Sequence, residues 1–197
     1  MSQSFLPDGY AVPKSGGNYM KLRGGANKFR ILSAPILGFE YWTDQRKPVR
    51  ARKLWDVIPV DADISNGWNP KHFWAFVVWN FDEKAIQILE ITQSTIQRAL
   101  TDLIHNEEWG DPRNYTITVN RKGEKLETEY SVVPSPAKPV PQDIMDAYQD
   151  KKIDLTLLFD GGDPFNAEAR NADTDREDFP TNTKQQGETP NPDDVPF

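Results

Sequence analysis

The stretch Lys71–Ile91, KHFWAFVVWNFDEKAIQILEI, constrains the fold of this chain more than any other. Two apolar runs, Phe73–Phe81 and Ala85–Ile91, flank the polar break Asp82-Glu83-Lys84. Aromatic and β-branched arms around a short polar break predict a β-hairpin. The first arm is apolar on both faces: Phe73, Ala75, Val77 and Trp79 on one, Trp74, Phe76 and Val78 on the other. Such a strand is either buried on both sides, or packs one face on a core and offers the other to a flat apolar ligand. The rest of the sequence favours the ligand.

A chain of 197 residues suits one domain plus an appendage, and 37% apolar residues implies that part of the length is unpacked. No apolar run approaches the roughly 18 residues a membrane helix needs. MSQSFLPDGYAVPK lacks the charged-then-apolar layout of a leader peptide, so a cytoplasmic protein is expected. Cysteine is absent, which excludes disulfides and thiolate metal sites. His72 and His105 would need several carboxylates to complete a zinc site, so no metal or cofactor is expected.

The net charge of −7 hides an asymmetry. From Asp160 onward ten acids face three bases, so the remainder of the chain is neutral. Within that remainder the bases come early: residues 1–55 hold ten against three acids. A basic early region with an acidic tail is the charge asymmetry of a polyanion-binding domain, although charged surfaces and acidic tails also occur without one.

Residues 1–17 read as a flexible N-terminal arm and 18–160 as the folded domain. Tyr19–Arg23 and Phe29–Leu32 alternate on either side of Gly24-Gly25. A strand follows over Ile36–Thr43, then a basic, turn-prone loop Asp44–Lys53, and a short strand over Leu54–Ile58. After the hairpin, Ser94-Thr-Ile-Gln97 fits a capping box, and Ile96, Ala99, Leu100, Leu103 and Ile104 share one helical face. Strands over Tyr115–Arg121 and Leu126–Val133 precede a proline-rich connector. Gln142–Tyr148 suits a helical turn or two, and Ile153–Phe159 is apolar enough to dock on the body. One helix between the third and fourth of five strands is the order of an OB-fold, a five-stranded Greek-key barrel; a generic small β-sandwich is the alternative. Residues 161–197 form a tail too poor in apolar groups to offset the entropy of ordering, ending in Asp193-Asp194-Val195-Pro196-Phe197. An apolar hook behind two acids suits a basic-walled pocket on another protein.

Holding unpaired strands takes cations for phosphates and flat side chains for bases. The cations on offer are Lys21, Arg23, Lys28, Arg30, Arg46, Lys47, Arg50, Arg52, Lys53 and Lys71. Among the aromatics, Tyr41, Trp42, Trp55, Phe73 and Trp74 are the chosen stacking candidates, with Tyr19, Trp68 and Trp79 behind them. The alternative for each ring is core packing, and for each cation a solvated surface. Enzyme signals are poor. The glycine pairs lack the Lys-Ser/Thr of a phosphate loop, and Asp61 with Asp63, or Glu107 with Glu108, make at best a sparse magnesium site.

The run Tyr19–Trp42, YMKLRGGANKFRILSAPILGFEYW, resembles the opening of phage single-stranded-DNA-binding proteins of the T-even helix-destabilising type. Lys71–Asn80, KHFWAFVVWN, resembles their basic-aromatic strand, which implies a DNA contact for Lys71, Phe73 and Trp74. The segment NYTITVNRKGEKLETEYSVVPSP is similar too, so the likeness covers residues 18–135 and the last five. Those last five, DDVPF, resemble the acidic tip of bacterial single-strand-binding proteins. The likeness implies that Asp193, Asp194, Pro196 and Phe197 recruit replication, recombination and repair proteins. The T-even proteins carry a zinc-binding insert with cysteine ligands, which this chain lacks; residues 44–70 would be its metal-free replacement. The expectation is a non-enzymatic, sequence-independent single-stranded-DNA-binding protein. A protein-interaction module without DNA, or a metal-dependent nuclease, is the alternative.

Overall fold

A strand whose two faces are both apolar needs cover on both, and that need organises the molecule. The computed structural model describes residues 17–166, the side chain of Leu126 excepted. Its strands are β1 (Tyr19–Met20), β2 (Gly25–Ile31), β3 (Ile36–Trp42), β4 (Pro48–Ala51), β5 (Lys71–Asn80), β6 (Ala85–Ile91), β7 (Thr116–Lys122) and β8 (Glu129–Pro134). Helix α1 (Ser94–His105) follows β6, and helix α2 (Gln142–Asp150) precedes a 3-10 turn over Leu155–Phe159.

The expected hairpin is β5–β6, with Trp79 opposite Ile86 and Trp74 opposite Ile91. Its turn is tied by Asn80, whose Oδ1 accepts from Asp82 N at 2.9 Å while its Nδ2 donates to Gln87 Oε1 at 2.8 Å. Phe76, Val78, Leu89 and Ile91 enter one core with Phe29, Ile31, Ile96, Leu100, Ile117 and Val119. Phe73, Ala75, Val77, Ile86 and Ile88 enter a second core with Ile144, Leu155 and Leu158. The expectation that one face of the hairpin waits for a ligand is therefore corrected. The chain's own segment 142–159 covers it, because burying that much apolar surface stabilises at about 25 cal/mol per Å².

The sheet runs β1-β6-β5-β2-β7-β8, with β3 joined to β5 and β4 to β3. Ten residues make β5 long enough for one edge to serve two strands: β2 pairs with residues 78–80 and β3 with residues 71–75. At the corner between them, Val77 N donates to Ser33 Oγ and Leu32 N to Val77 O, each at 2.9 Å. β1 lies parallel to β6 and every other pairing is antiparallel. The protein is thus mainly β with a mixed sheet and two short helices. The expected five-stranded Greek-key barrel is not seen as such: the sheet is open and has eight strands. Closure would need β6 against β8, but β1 takes the outer edge of β6 and β8 pairs only with β7.

Three local expectations also change. No strand forms over 54–58; the extra strand is β4, inside the expected basic loop. The capping box is not made: Gln93 is the N-cap, without a side-chain bond, and Ser94 already lies in the helix. Gln97 instead donates to the carbonyls of Ile91 at 2.9 Å and His72 at 3.1 Å, fastening α1 to both arms of the hairpin. Residues 161–166, assigned to the tail, pack on the body through buried Pro164 and partly buried Phe165. The rest of the expected tail, with Asp193, Asp194, Pro196 and Phe197, lies outside the described residues, as does the arm up to residue 16. Among the described residues, no helix is long and apolar enough to cross a membrane.

Candidate nucleic-acid interface

Side chains alternate along β3, so Leu37, Phe39 and Tyr41 share a face. Across the sheet, Leu37 stands opposite Trp74 and Phe39 opposite His72, while Tyr41 stands opposite Val49. The Phe39 and His72 rings lie 5.2 Å apart, centroid to centroid, at 60°. Tyr41 meets Trp55 edge-on at 4.8 Å and Trp68 at 5.5 Å. A strip of rings therefore runs from Trp55 and Trp68, through Tyr41, Phe39 and His72, to Trp74. At its far end Gln97, Arg98 and Thr101 of α1 border a hollow with His72 and Trp74.

The irregular segment 52–70 is held to β3 by specific bonds. Thr43 bridges to Ala62, Asp44 N donates to Asp61 O at 3.0 Å, and Asp63 N donates to Trp42 O at 2.8 Å. The Tyr41 hydroxyl donates to Asp61 Oδ1 at 2.9 Å. Burial and then this bond push the Tyr41 phenol up to about 12. Tyr41 and Trp55 thus anchor the loop, and Tyr41, being buried, has no face left for a base.

The strip is open in its middle. Leu37 is 49% exposed, His72 is exposed, and Phe39 and Trp74 are partly exposed. On the other face of β3, Trp42 is 48% exposed and borders a cleft with Trp68 and Lys71. Phe73, by contrast, is fully buried in the second core and cannot stack on a ligand.

The expected cations divide into two groups at opposite ends of β5, which spans about 30 Å at roughly 3.4 Å per residue. Arg46 and Lys47 sit in the β3–β4 turn, Arg52 and Lys53 follow β4, and Lys71 begins β5. All five are exposed. Among the described residues none of them forms an ion pair. Arg52 lies 4.5 Å over the Phe159 ring. Arg50 is different: its Nε is 3.5 Å from Glu40 and its Nη2 is 2.7 Å from Glu90, and little of its side chain is exposed. Burial raises the Glu40 carboxyl above the usual range, with Arg50 opposing. A guanidinium held by two carboxylates is a structural clamp, not a free phosphate ligand.

The second group surrounds β2. Lys21 is exposed, Lys28 stands 5.1 Å over Phe81, and Arg23 pairs with Glu83 at 2.6 Å. Arg30 is buried and donates to the carbonyl of Lys138, and burial lowers its guanidinium pKa. Arg30 therefore faces no solvent.

Leu37, Phe39 and Arg98 join the interface without having been picked out of the sequence. The signal for the first two was their parity with Tyr41 along β3. Arg98 lies four residues after Ser94, and both border the hollow beside His72. Comparison with protein-family models, curated proteins and solved structures finds no match to this chain.

Proposed function

We propose that this protein binds single-stranded DNA without sequence preference, as a stoichiometric coat rather than an enzyme, in replication, recombination and repair. The observation that carries the reading is the open strip Phe39–His72–Trp74, with Arg98 at the hollow beside it, while the exposed Lys71 next to His72 lies on the opposite face of β5. Stacked bases contribute about 1–3 kcal/mol each and tolerate any sequence, while the cations follow the phosphates. The path β6-β5-β2-β7-β8, with α1 between β6 and β7, supports an OB-type frame with added strands. In such frames the connection between the first two strands grips oligonucleotides. Here that connection would be the one from β2 to β5, which carries β3, β4 and the Trp55–Trp68 loop. Asp193, Asp194, Pro196 and Phe197 would recruit the replication proteins, in the cytoplasm.

The test is a gel shift with single- and double-stranded DNA across a salt series. The single strand should bind preferentially, with affinity falling as salt rises. Failure to shift a single strand at low salt overturns the reading.

Exposed apolar side chains on the 54–70 loop, Val57, Ile58, Val60 and Ile64, favour a second reading: a surface for another protein. Tryptophan fluorescence separates the two. Salt-sensitive quenching by oligo-dT belongs to the first reading alone.

A further inference from the structure

β5 begins at Lys71, opposite Glu40, so Trp42, two residues further along β3, has no neighbour in β5. Pro70 offers no N–H to prolong the ladder, and Gly67, at φ +81°, turns the chain away. The loop is tied back at Asp63, whose N–H donates to the Trp42 carbonyl at 2.8 Å. Between loop and strand this leaves a cleft of about 320 Å³, the lower end of the range for small-molecule sites, bordered by Trp42, Asp63, Asn66, Trp68, Asn69 and Lys71. Trp42 is 48% exposed, and Lys71 is exposed and in no ion pair among the described residues. Asp63 accepts from Ser65 N at 3.0 Å, and its bonds with Ser65 hold its carboxyl below the usual range, so it is an ionised acceptor. Glu40, the other carboxylate of the cleft, is buried and faces Arg50 at 3.5 Å, so it does not oppose an anion at the rim.

We propose that this cleft takes one guanine nucleotide of the bound strand: the base on Trp42, its N1–H and amino group on Asp63, its phosphate at Lys71. The inference rests on the single-strand reading and adds one position of base preference to a strip that has none. Guanine presents two donors side by side, the arrangement a carboxylate accepts. Adenine and cytosine set one donor beside an acceptor, and thymine sets carbonyls on either side of one donor; those acceptors would face the Asp63 anion. A neutral sugar would lie on the indole and bond the asparagine amides but leave the Lys71 ammonium without an anion. Trp68 joins the cleft to the ring strip, since its other contact is Tyr41 at 5.5 Å.

The experiment uses the full chain and oligo-dT of about twelve nucleotides carrying one central guanine or one central adenine, so that both strands bring a purine to stack. Fluorescence anisotropy should show the guanine strand binding about fivefold tighter. Asp63→Asn, which keeps an acceptor for Ser65 N, should bring the two affinities together. Trp42→Ala, at an exposed position, should do the same, and whichever variant still binds oligo-dT decides the matter if the other does not fold. Equal affinities in the unaltered chain while oligo-dT is bound, or a guanine preference kept in either variant, overturn the cleft and leave the single-strand reading standing. Absence of oligo-dT binding by the unaltered chain overturns both.

Discussion

The side chains of Phe39 and His72 meet across the β3–β5 pairing at 5.2 Å, and His72 is open to solvent at the middle of the ring strip. If bases stack there, His72→Ala and Phe39→Ala each weaken oligo-dT binding by about 1–3 kcal/mol, fivefold or more. Fluorescence titration measures it. Equal affinity in both variants would place the strand elsewhere.

The cations separate into two kinds that mutation should distinguish. Lys53→Ala and Lys71→Ala leave the fold intact and each reduce the slope of log affinity against log salt by about 0.7. Arg50→Ala leaves Glu40 and Glu90 facing each other without their shared guanidinium, a change expected to cost about 3–5 kcal/mol of stability. Denaturant unfolding reads the second effect and salt titration the first.

Glu40 carries a pH signature of defined sign. Burial raises its folded carboxyl pKa, so around that value the native state binds more protons than the unfolded chain. Its contribution to stability therefore grows as pH falls through the folded value, and levels off below the ordinary glutamate range. Unfolding free energies of the parent chain minus those of Glu40→Gln should rise on acidification. A fall would mean that the Arg50 attraction outweighs burial.

Gly38 is placed where no side chain fits. A Cβ there would meet the carbonyl oxygen of Ala51 at 2.5 Å and the Phe159 ring at 2.8 Å. Gly38→Ala should therefore cost about 1–3 kcal/mol, visible as a lower thermal midpoint. Relieving the ring contact with Phe159→Ala in the same chain would recover little, because the Ala51 carbonyl cannot move without unpairing β3 from β4.

Residues 168–197 carry eight acids and three bases, opposite in sign to the early part of the chain. Coulomb attraction to Arg46, Lys47, Arg52, Lys53 and Lys71 would compete with phosphate. Deleting 168–197 should tighten oligo-dT binding at low salt, and the gain should vanish as the screening length drops to about 8 Å at 0.15 M salt. Binding unchanged by the deletion at low salt would mean the segment does not compete.

The hairpin was legible because its information is local. Two apolar runs about a polar break leave β5–β6 as the one economical arrangement, and the apolar stripe Ile96, Leu100, Leu103 likewise announces α1. The α1 cap was misread for a related reason. Ser94 and Gln97 have the spacing of a reciprocal cap, but Gln97 lies within reach of the Ile91 and His72 carbonyls, which no local pattern reveals. The sequence likewise advertised Arg30 and Arg50 as two more bases in a basic region. Their roles depend on the carbonyl of Lys138 and the carboxylates of Glu40 and Glu90, which pairing brings close.

What the sequence by itself determined is where α1 and the strands other than β4 lie and which of their residues are apolar, since both follow from the spacing of apolar groups along a few neighbouring residues. It also determined the separation of charge into a basic early region and an acidic late one. Only the tertiary structure decided that β2 and β3 share one edge of β5, that segment 142–159 closes the second face of the hairpin over Phe73, and that Phe39, His72 and Trp74 remain open as a strip. Those outcomes are set by contacts between residues tens of positions apart, whose energies depend on which surfaces meet rather than on the order of the residues within either one.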